Sequence, residues 1–203
     1  MSRRSARSAG SRRRQLTVLL LVTASAAAGV AIALPTIKRI VREFTYPLSD
    51  TAIINRQAAA NRLDPALVAA VIYAETKFDP RTSSAGALGL MQVEPATAQN
   101  LARISGGTTF KVADLAHPAT NIAYGSYYLR YLLNHYHDNR VLALAAYNAG
   151  PTNVDDWVAA ARAQGHSLSI AAIPFAQTRA YVAKVEAAQL TYRHDYAKLL
   201  GPP

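Results

Sequence analysis

Glu75 combines an apolar helix face with a helix end, a setting suited to proton transfer by a carboxyl group. It follows Val71 by four residues and Ile72 by three, so in a helix the three side chains share one face. It also lies in the last turn of a helix predicted over Pro65–Thr76, near the negative end of the helix dipole. Both features disfavour the carboxylate, predict a raised pKa and suit a general acid. The alternative is a Glu that reaches solvent, or pairs with Lys77 or a distant Arg.

The segment 82–92 places polar side chains among small and apolar ones. Gly86 and Gly89 allow a close approach of the backbone, and Gln92 offers an amide that can bind a neutral polar ligand. A packed loop in which Met91 fills the core is the alternative interpretation.

Two segments in the second half of the chain have the same mixed character. Tyr147 and Asn148 end a short apolar helix, where the Asn amide either faces a cleft beside the Tyr ring or caps the helix next to Gly150. In the segment 173–182, Tyr181 either belongs to the core or directs its hydroxyl at the acid.

Taken together and in this order, these segments resemble the bacterial lytic transglycosylases of glycoside hydrolase family 23, which have a goose-type-lysozyme-like fold. The matching motifs are Asp64–Ile72, Ala74–Phe78, Gly89–Gln92, Ala146–Gly150 and Ile173–Val182. The resemblance covers about 46–192. Two positions depart from the family pattern. Thr76 stands where Ser is usual, and Gln177 stands where Glu is common, which removes one charge near Arg179.

The resemblance implies a reaction with one catalytic carboxyl. Glu75 would protonate the glycosidic oxygen between N-acetylmuramic acid and N-acetylglucosamine, and the muramic N-acetyl group would stabilise the anomeric cation. Glu75 would then accept the proton of the sugar's own 6-hydroxyl, which gives a 1,6-anhydro end without water. No metal or cofactor is implied. The substrate-binding residues carried over by the resemblance are Thr76, Ser84, Gly89, Met91, Gln92, Tyr147, Asn148 and Tyr181. Of these, Thr76 would either contact the substrate or orient Glu75.

Other functions remain open at this level. Ordinary glycosidases use two carboxyls, yet Asp79 is typical of a turn, and Asp155 and Asp156 are typical of a first helical turn. A lysozyme-like muramidase that uses water is the nearest alternative. A non-catalytic peptidoglycan-binding domain is less consistent with the presence of Glu75. A membrane-anchored adaptor for protein partners is less consistent with polar motif residues on apolar segments.

The elements that must position these residues are helical, because no sustained period-2 alternation is present. The prediction is an all-α globular domain. Its helices are predicted from Asp50 or Thr51 to Asn61, over Pro65–Thr76, from Pro95 to about Arg103, and over 120–137, 142–147, 153–164 and 178–199. With 203 residues, 51% of them hydrophobic, the chain is not disordered, and the absence of Cys excludes disulfides and thiolate sites.

The net charge of +10 resides in the N-terminal segment. Residues 1–42 hold nine basic residues and no acidic one, whereas 43–203 hold thirteen basic and twelve acidic residues. A nearly neutral domain argues against nucleic acid as a partner. Metal binding is not indicated either, because the five His residues show no ligand spacing. These are His117, His135, His137, His166 and His194.

Residues 16–34 form an uncharged stretch of 19 residues after six Arg. As a helix it covers about 28 Å, close to the ~30 Å apolar core of a bilayer. It is predicted to be a transmembrane anchor, with a signal peptide cleaved near Ala24–Ala26 as the alternative. The basic side stays in the cytoplasm, so either interpretation exports the rest of the chain.

The predicted organisation follows from this segment and the motifs. It consists of a basic cytoplasmic region over 1–15, the membrane or signal helix over 16–34, a juxtamembrane linker over 35–47 and a catalytic domain over 48–200. The expected partners are the glycan strands of peptidoglycan, the membrane through the N-terminal helix, and an unidentified component of the cell-wall machinery.

Overall fold

The computed structural model describes Thr23, Ser25, residues 29–107 and residues 109–202. The chain divides into two compact units, Met1–Thr45 and Tyr46–Pro203. The second unit begins two residues before the catalytic domain predicted from the sequence.

In the first unit, residues 29–45 are helical and the helix continues through Pro35. The predicted linker over 35–47 is therefore helical as far as Thr45. Residues 1–15 and most of the predicted membrane segment 16–34 lie outside the described residues. Among the residues that are described, no helix is both long enough and apolar enough to cross a membrane.

The second unit is mostly helical, as predicted. Its helices are α1 Thr51–Asn61, α2 Pro65–Thr76, α3 Pro95–Ser105, α4 Pro118–His135, α5 Arg140–Ala149, α6 Pro151–Ala163, α7 Ala176–Asp195 and α8 Ala197–Leu200. Short 3-10 helices cover Val112–Ala116 and Ile170–Ala172. The helix predicted over 178–199 is two helices, because the chain leaves helical geometry at Tyr196.

A small antiparallel ribbon interrupts the helices, and the sequence did not indicate it. Strand β1 is Arg81–Thr82 and strand β2 is Leu88–Gly89, with Arg81 opposite Gly89. Two residues per strand are too few to produce a recognisable alternation of apolar and polar positions. The ribbon folds the segment between α2 and α3 back toward the end of α2.

Helix α2 forms the centre of the core. Its residues 65–72 are all buried, as expected of a helix that is apolar on every face. It begins at Pro65 because the Asp64 side chain accepts a hydrogen bond from the backbone N–H of Ala66 at 2.9 Å. It ends where Lys77 adopts a left-handed backbone conformation. The end of this buried helix carries the predicted acid.

Helix α7 packs along α2 and α5, and its last turns hold the beginning of the unit in place. The Tyr192 hydroxyl donates to the carbonyl of Pro47 at 2.7 Å, and the Tyr196 hydroxyl at the end of α7 donates to the carbonyl of Tyr46 at 2.6 Å. The Tyr192 ring is also packed edge-on against Tyr46. The two ends of the unit are thereby joined across about 150 residues of chain.

Candidate active site

A cleft of about 550 Å³ opens where the end of α2, the segment 83–97, the end of α5 and the start of α7 meet. Most of its lining is polar. The lining residues are Glu75, Ser83, Ser84, Ala85, Ala87, Gln92, Val93, Glu94, Thr97, Tyr128, Tyr147, Asn148, Ala149, Gly150, Pro151 and Gln177.

The Glu75 carboxyl is half-buried in this cleft, and its pKa is raised to about 7. Burial is the main cause, because removing water disfavours the charged form. The Tyr181 hydroxyl and the positive charges of Lys184 and Arg81 lower the pKa but do not cancel the effect of burial. Near neutral pH the carboxyl is therefore poised between donating and accepting a proton.

Both cations near Glu75 are held by backbone carbonyl groups. Arg81 donates to the carbonyl of Glu75 itself at 2.9 Å, and Lys184 donates to the carbonyl of Ala74 at 2.7 Å. These bonds also satisfy carbonyls at the end of α2, which a helix terminus leaves without partners. Because the cations bind the backbone, neither forms an ion pair with the carboxylate, and the rise in its pKa survives.

Tyr181 lies beside the acid, but its hydroxyl is not firmly bound. The oxygen is buried and has no well-formed hydrogen bond among the described residues, although it interacts with the Glu75 carboxyl. Burial and the adjacent carboxylate raise the pKa of Tyr181 well above its usual value, so the hydroxyl keeps its proton as a donor. The structure thus brings this predicted site residue to the acid, behind the surface of the cleft.

Thr76 faces the interior rather than the cleft. Its side chain is buried, and its Oγ1 lies 2.8 Å from the carbonyl oxygen of Leu90 and 3.2 Å from that of Ile72. The sequence predicted either a contact with substrate or an effect on the orientation of Glu75. This geometry favours the second, because the hydroxyl joins the end of α2 to the segment after β2.

Gly89 and Met91 also lie beneath the cleft surface, where a buried Asn fixes them. Asn121 was missed by the sequence analysis. Its Nδ2 donates to the carbonyls of Leu88 and Leu115, and its Oδ1 accepts from the N–H of Met91 at 2.8 Å. A Cβ on Gly89, whose φ is +73°, would lie 2.3 Å from Asn121 Nδ2. This glycine therefore serves the packing of the segment against Asn121.

Gln92, one of the predicted site residues, lines the cleft and is held in place by hydrogen bonds from its side-chain amide group. Its Nε2 donates to the carbonyls of Arg81 at 2.8 Å and Gly89 at 2.7 Å. Both hydrogens of the amide are then used, and the carbonyl oxygen Oε1 is the group available to a ligand. The side chain also bridges the two strands of the ribbon.

Tyr147 and Asn148, two further predicted site residues, line the opposite wall. The Tyr147 hydroxyl donates to the carbonyl of Met91 at 2.9 Å and so joins the two walls. The Asn148 Oδ1 accepts from the Thr178 hydroxyl at 2.8 Å, which leaves its Nδ2 as a donor for the cleft. Ser84 completes the set of predicted residues on the cleft surface.

At position 177 this chain has Gln where the family commonly has Glu, and Arg179 binds other groups in place of that carboxylate. Gln177 lines the cleft, and Arg179 donates to the carbonyls of Ile173 and Pro174 instead of pairing with an acid. The guanidinium therefore holds the bend before α7 without a carboxylate at position 177.

Glu94 and Tyr128 are among the lining residues that were not predicted. Glu94 is an exposed carboxylate just before α3, and its side chain makes no capping hydrogen bond to that helix. Tyr128 lies on α4, and its ring is 5.3 Å from that of Tyr147. An acidic residue directly before a proline is typical of a helix start. The sequence around Glu94 therefore indicates the start of α3 and not a residue of the cleft. The tyrosines repeated at helical spacing on α4 were the available signal for Tyr128.

Residues 52–170, more than half of the chain, match the family model of the transglycosylase SLT domain. The chain belongs to this family. The soluble lytic murein transglycosylase of Salmonella typhimurium is 32% identical over 155 residues, which are 75% of this chain and 24% of that protein. The membrane-bound lytic murein transglycosylase C of Shigella sonnei is 33% identical and is matched over 64% of this chain and 43% of its own length.

The SLT domain also has close structural neighbours. The crystal structure of an inactive mutant of the lytic transglycosylase Slt from Pseudomonas aeruginosa superposes with a TM-score of 0.70 and 30% identity. The match covers 79% of this chain and 26% of that one. The chain thus spans about a quarter of the length of the Salmonella typhimurium and Pseudomonas aeruginosa relatives. The helical fold predicted from the sequence motifs is therefore the fold of Slt lytic transglycosylases.

Proposed function

We propose that this chain is a peptidoglycan lytic transglycosylase in which Glu75 acts first as general acid and then as general base. The observation that carries the proposal is the Glu75 carboxyl, half-buried in a polar cleft of an SLT domain with a pKa of about 7. A carboxyl with this pKa exchanges protons in both directions at neutral pH.

The proposed reaction needs one carboxyl and no water. Protonated Glu75 gives its proton to the glycosidic oxygen as the bond from C1 of N-acetylmuramic acid to that oxygen breaks. The Glu75 carboxylate then accepts the proton of the 6-hydroxyl of the same N-acetylmuramic acid, as the oxygen of that hydroxyl bonds to C1. The muramic N-acetyl group stabilises the positive charge between the two steps. Glu75 ends protonated, as it began, and the product carries a 1,6-anhydro ring.

The other predicted residues receive two kinds of role in this proposal. Gln92 Oε1 and Asn148 Nδ2 offer one acceptor and one donor from opposite walls, which suits the acetamido groups of the sugars. Tyr181 is a positioning residue whose hydroxyl limits how far burial raises the pKa of Glu75. Thr76 fixes the backbone beneath the acid.

Hydrolysis by a muramidase is the second candidate, and Glu94 is the observation that favours it. Glu94 lies in the same cleft lining as Glu75, whereas Asp79, Asp155 and Asp156 are absent from that lining. Asp155 instead lies 3.0 Å from the Tyr136 hydroxyl and 3.1 Å from His135 Nε2. A second carboxylate can activate water when it lies across the scissile bond from the acid.

Digestion of purified peptidoglycan by the full chain in detergent tests the proposal. The products are separated and weighed by mass spectrometry, beside Glu75→Gln and the control Glu186→Gln, which makes the same change outside the cleft. We expect anhydro ends from the wild type and the control, and about 10³-fold slower release of them from Glu75→Gln. Reducing ends, heavier by one water, would replace the proposal with hydrolysis. Intact glycan from a folded wild-type chain would contradict both.

We also propose that the SLT domain works outside the cytoplasm, held at the membrane by its N-terminal helix. The supporting observations are the nine basic residues in 1–42 and the uncharged segment 16–34. Among the relatives, one is named as soluble and another as membrane-bound. Membrane fractionation with N-terminal sequencing of the mature protein tests this. An intact N-terminus in the membrane fraction supports an anchor, and a new N-terminus near residue 27 supports a cleaved signal.

A further inference from the structure

Glu94 is a carboxylate in the cleft that the proposed reaction does not use. Its side chain is exposed, forms no ion pair among the described residues and does not cap α3. Thr97, one helical turn later, also lines the cleft, so this turn of α3 faces the space a glycan would occupy. Glu94 is therefore available to a ligand.

The cleft lining offers no positive charge to neutralise Glu94. Of the residues described, those that line the cleft include two Glu and no Lys, Arg or His. The cations nearest the acid, Arg81 and Lys184, are bound to backbone carbonyls at the end of α2. A ligand that brings a positive charge to Glu94 is therefore favoured over a neutral one of the same shape.

Aromatic rings accompany this carboxylate. Tyr128 lines the cleft with Glu94, and its ring centre lies 5.3 Å from that of Tyr147 and 6.4 Å from that of Tyr131. The charge of Glu94 contributes, after burial, to a rise in the pKa of Tyr128 to about 12. A carboxylate beside aromatic faces suits an ammonium group, because both carry negative potential.

We propose that Glu94, with the ring of Tyr128, binds a primary ammonium group of the glycan substrate. The inference rests on the proposed function. It adds that the enzyme recognises an ammonium group of the substrate, which the catalytic Glu75 does not bind. The ammonium group has two sources, the amine of a glucosamine that has lost its acetyl group and a free amine on a stem peptide. The muramic N-acetyl group is not a candidate position, because the proposed reaction uses it.

The test compares cleavage of three glycans by the full chain. The first has acetylated sugars and chemically blocked stem amines, the second has deacetylated glucosamine with blocked stems, and the third has acetylated sugars with free stem amines. At mildly acidic pH, we expect kcat/KM for one of the amine-bearing glycans to exceed that for the first by about 10-fold, as a charge-assisted hydrogen bond provides. Which of the two is preferred identifies the source.

Substitutions at Glu94 and Tyr128 test whether these residues cause the preference for amine-bearing glycans. In Glu94→Gln the ratio between amine-bearing and blocked glycan is expected to fall to about 1–2, because the amide cannot neutralise an ammonium charge. Glu186→Gln, the same change outside the cleft, is expected to keep the wild-type ratio. Tyr128→Phe retains the aromatic face and is expected to keep most of the preference, whereas Tyr128→Leu is expected to lose part of it.

Two results would overturn the inference, and both differ from failure of the proposed function. Equal rates on all three glycans, or a preference that survives Glu94→Gln, exclude ammonium recognition by Glu94 while leaving the proposed reaction intact. If the wild type cleaves none of the glycans, calorimetric titration with soluble fragments of the same three glycans decides the question. Tighter binding of an amine-bearing fragment that is lost in Glu94→Gln supports the inference, and any other pattern contradicts it.

Discussion

Helix α2 has a carboxylate at each end, and the two are treated in opposite ways. Asp64, before the first turn, accepts hydrogen bonds from the backbone N–H of Ala66 and the Gln189 amide at 2.6 Å, and pairs with Arg193. Glu75, in the last turn, forms no ion pair within the described part of the chain, and the cations near it bind backbone carbonyls. The N-terminal end of a helix favours negative charge, and the C-terminal end disfavours it.

The difference separates a carboxylate that stabilises the fold from one that is fitted to react. At Asp64 the charge, the helix dipole and the donors all act together, so ionisation strengthens the start of the core helix. At Glu75 burial raises the pKa by more than the nearby donors lower it. The folded chain therefore disfavours the ionised carboxylate, and this raised pKa is the property that a general acid needs.

The sharpest test of this contrast is to remove each charge isosterically. Glu75→Gln is expected to lower kcat for release of anhydro ends by about 10³-fold, because proton transfer to the leaving oxygen is lost. Asp64→Asn is expected to change kcat by no more than a few-fold, since Asp64 is absent from the cleft lining. The measurement is turnover with purified glycan under saturating conditions. Similar losses in both variants would remove the functional distinction between the two ends.

For the stability of the fold, we expect a substitution at Asp64 to have a larger destabilising effect than one at Glu75. Asp64→Ala is expected to lower the free energy of unfolding by about 2–3 kcal/mol, from a lost helix cap, a lost amide hydrogen bond and a weakened ion pair. Denaturant titration at neutral pH measures the change. Asp156→Ala, an exposed acid on α6, is the control and is expected to cost less than about 0.5 kcal/mol. A neutral Asp64→Ala would mean that α2 does not depend on its cap.

The raised pKa of Glu75 also makes stability depend on pH. Its pKa is about 7 when folded and about 4.5 when unfolded, so the folded state binds the proton more tightly. The resulting stabilisation is complete below pH 4.5 and disappears as pH rises through 7. Discounted for partial exposure, it amounts to about 2 kcal/mol.

Comparison of the wild type with Glu75→Gln isolates this contribution. We expect the variant to gain stability relative to the wild type by that amount between pH 4.5 and pH 8, as measured by denaturant titration at each pH. A difference that does not vary with pH would show that the Glu75 carboxyl has an ordinary pKa. The activity of the wild type should fall above about pH 7 for the same reason, because the acid is lost.

How much of this could be predicted differs between the two ends of α2. The start was predicted to the residue, because Asp64 followed by Pro65 is a local signal. The raised pKa at Glu75 was also predicted, from its apolar face and its place in the last turn. The orientation of Thr76 was not, because its partner is the carbonyl of Leu90 in a segment 14 residues away. The sequence does not specify how that segment folds back.

The same reasoning explains the other misses in the cleft. Asn121 and Glu94 act through neighbours brought close by the ribbon, whose strands are too short to be seen in the pattern of residues. Gln92 was predicted although it lies in the segment 83–97, because the motif Gly89–Gln92 includes it. Thr76, Gly89 and Met91 were given a surface role although they are buried, because their contacts depend on the path of that segment.

Substitutions at Thr76 test how the C-terminal end of α2 positions the Glu75 carboxyl. Thr76→Val removes the hydroxyl bond to Leu90 and keeps the shape, so we expect a loss of about 1–2 kcal/mol in stability and a shift in the alkaline limb of the pH–rate profile. Thr76→Ser retains the hydroxyl and is expected to restore the wild-type profile. The decisive observation is the profile: a loss of stability alone would limit Thr76 to a structural role.

The smallest expected effect concerns Tyr181. Its hydroxyl lowers the pKa of Glu75, so Tyr181→Phe should raise that pKa further and move the alkaline limb of the pH–rate profile upward by less than about one unit. Tyr192→Phe, on the same helix but bonded to Pro47, is the matched control and should leave the limb in place. An unchanged or downward-shifted limb in Tyr181→Phe would contradict the interaction.

The bonds from Tyr192 and Tyr196 to Pro47 and Tyr46 have a consequence for how the chain matures. The core helix α2 is packed against α7, which begins 100 residues after α2 ends. A ribosome or a translocation pore that still holds α7 therefore holds back the partner of α2. The domain completes its core only after α7 has emerged.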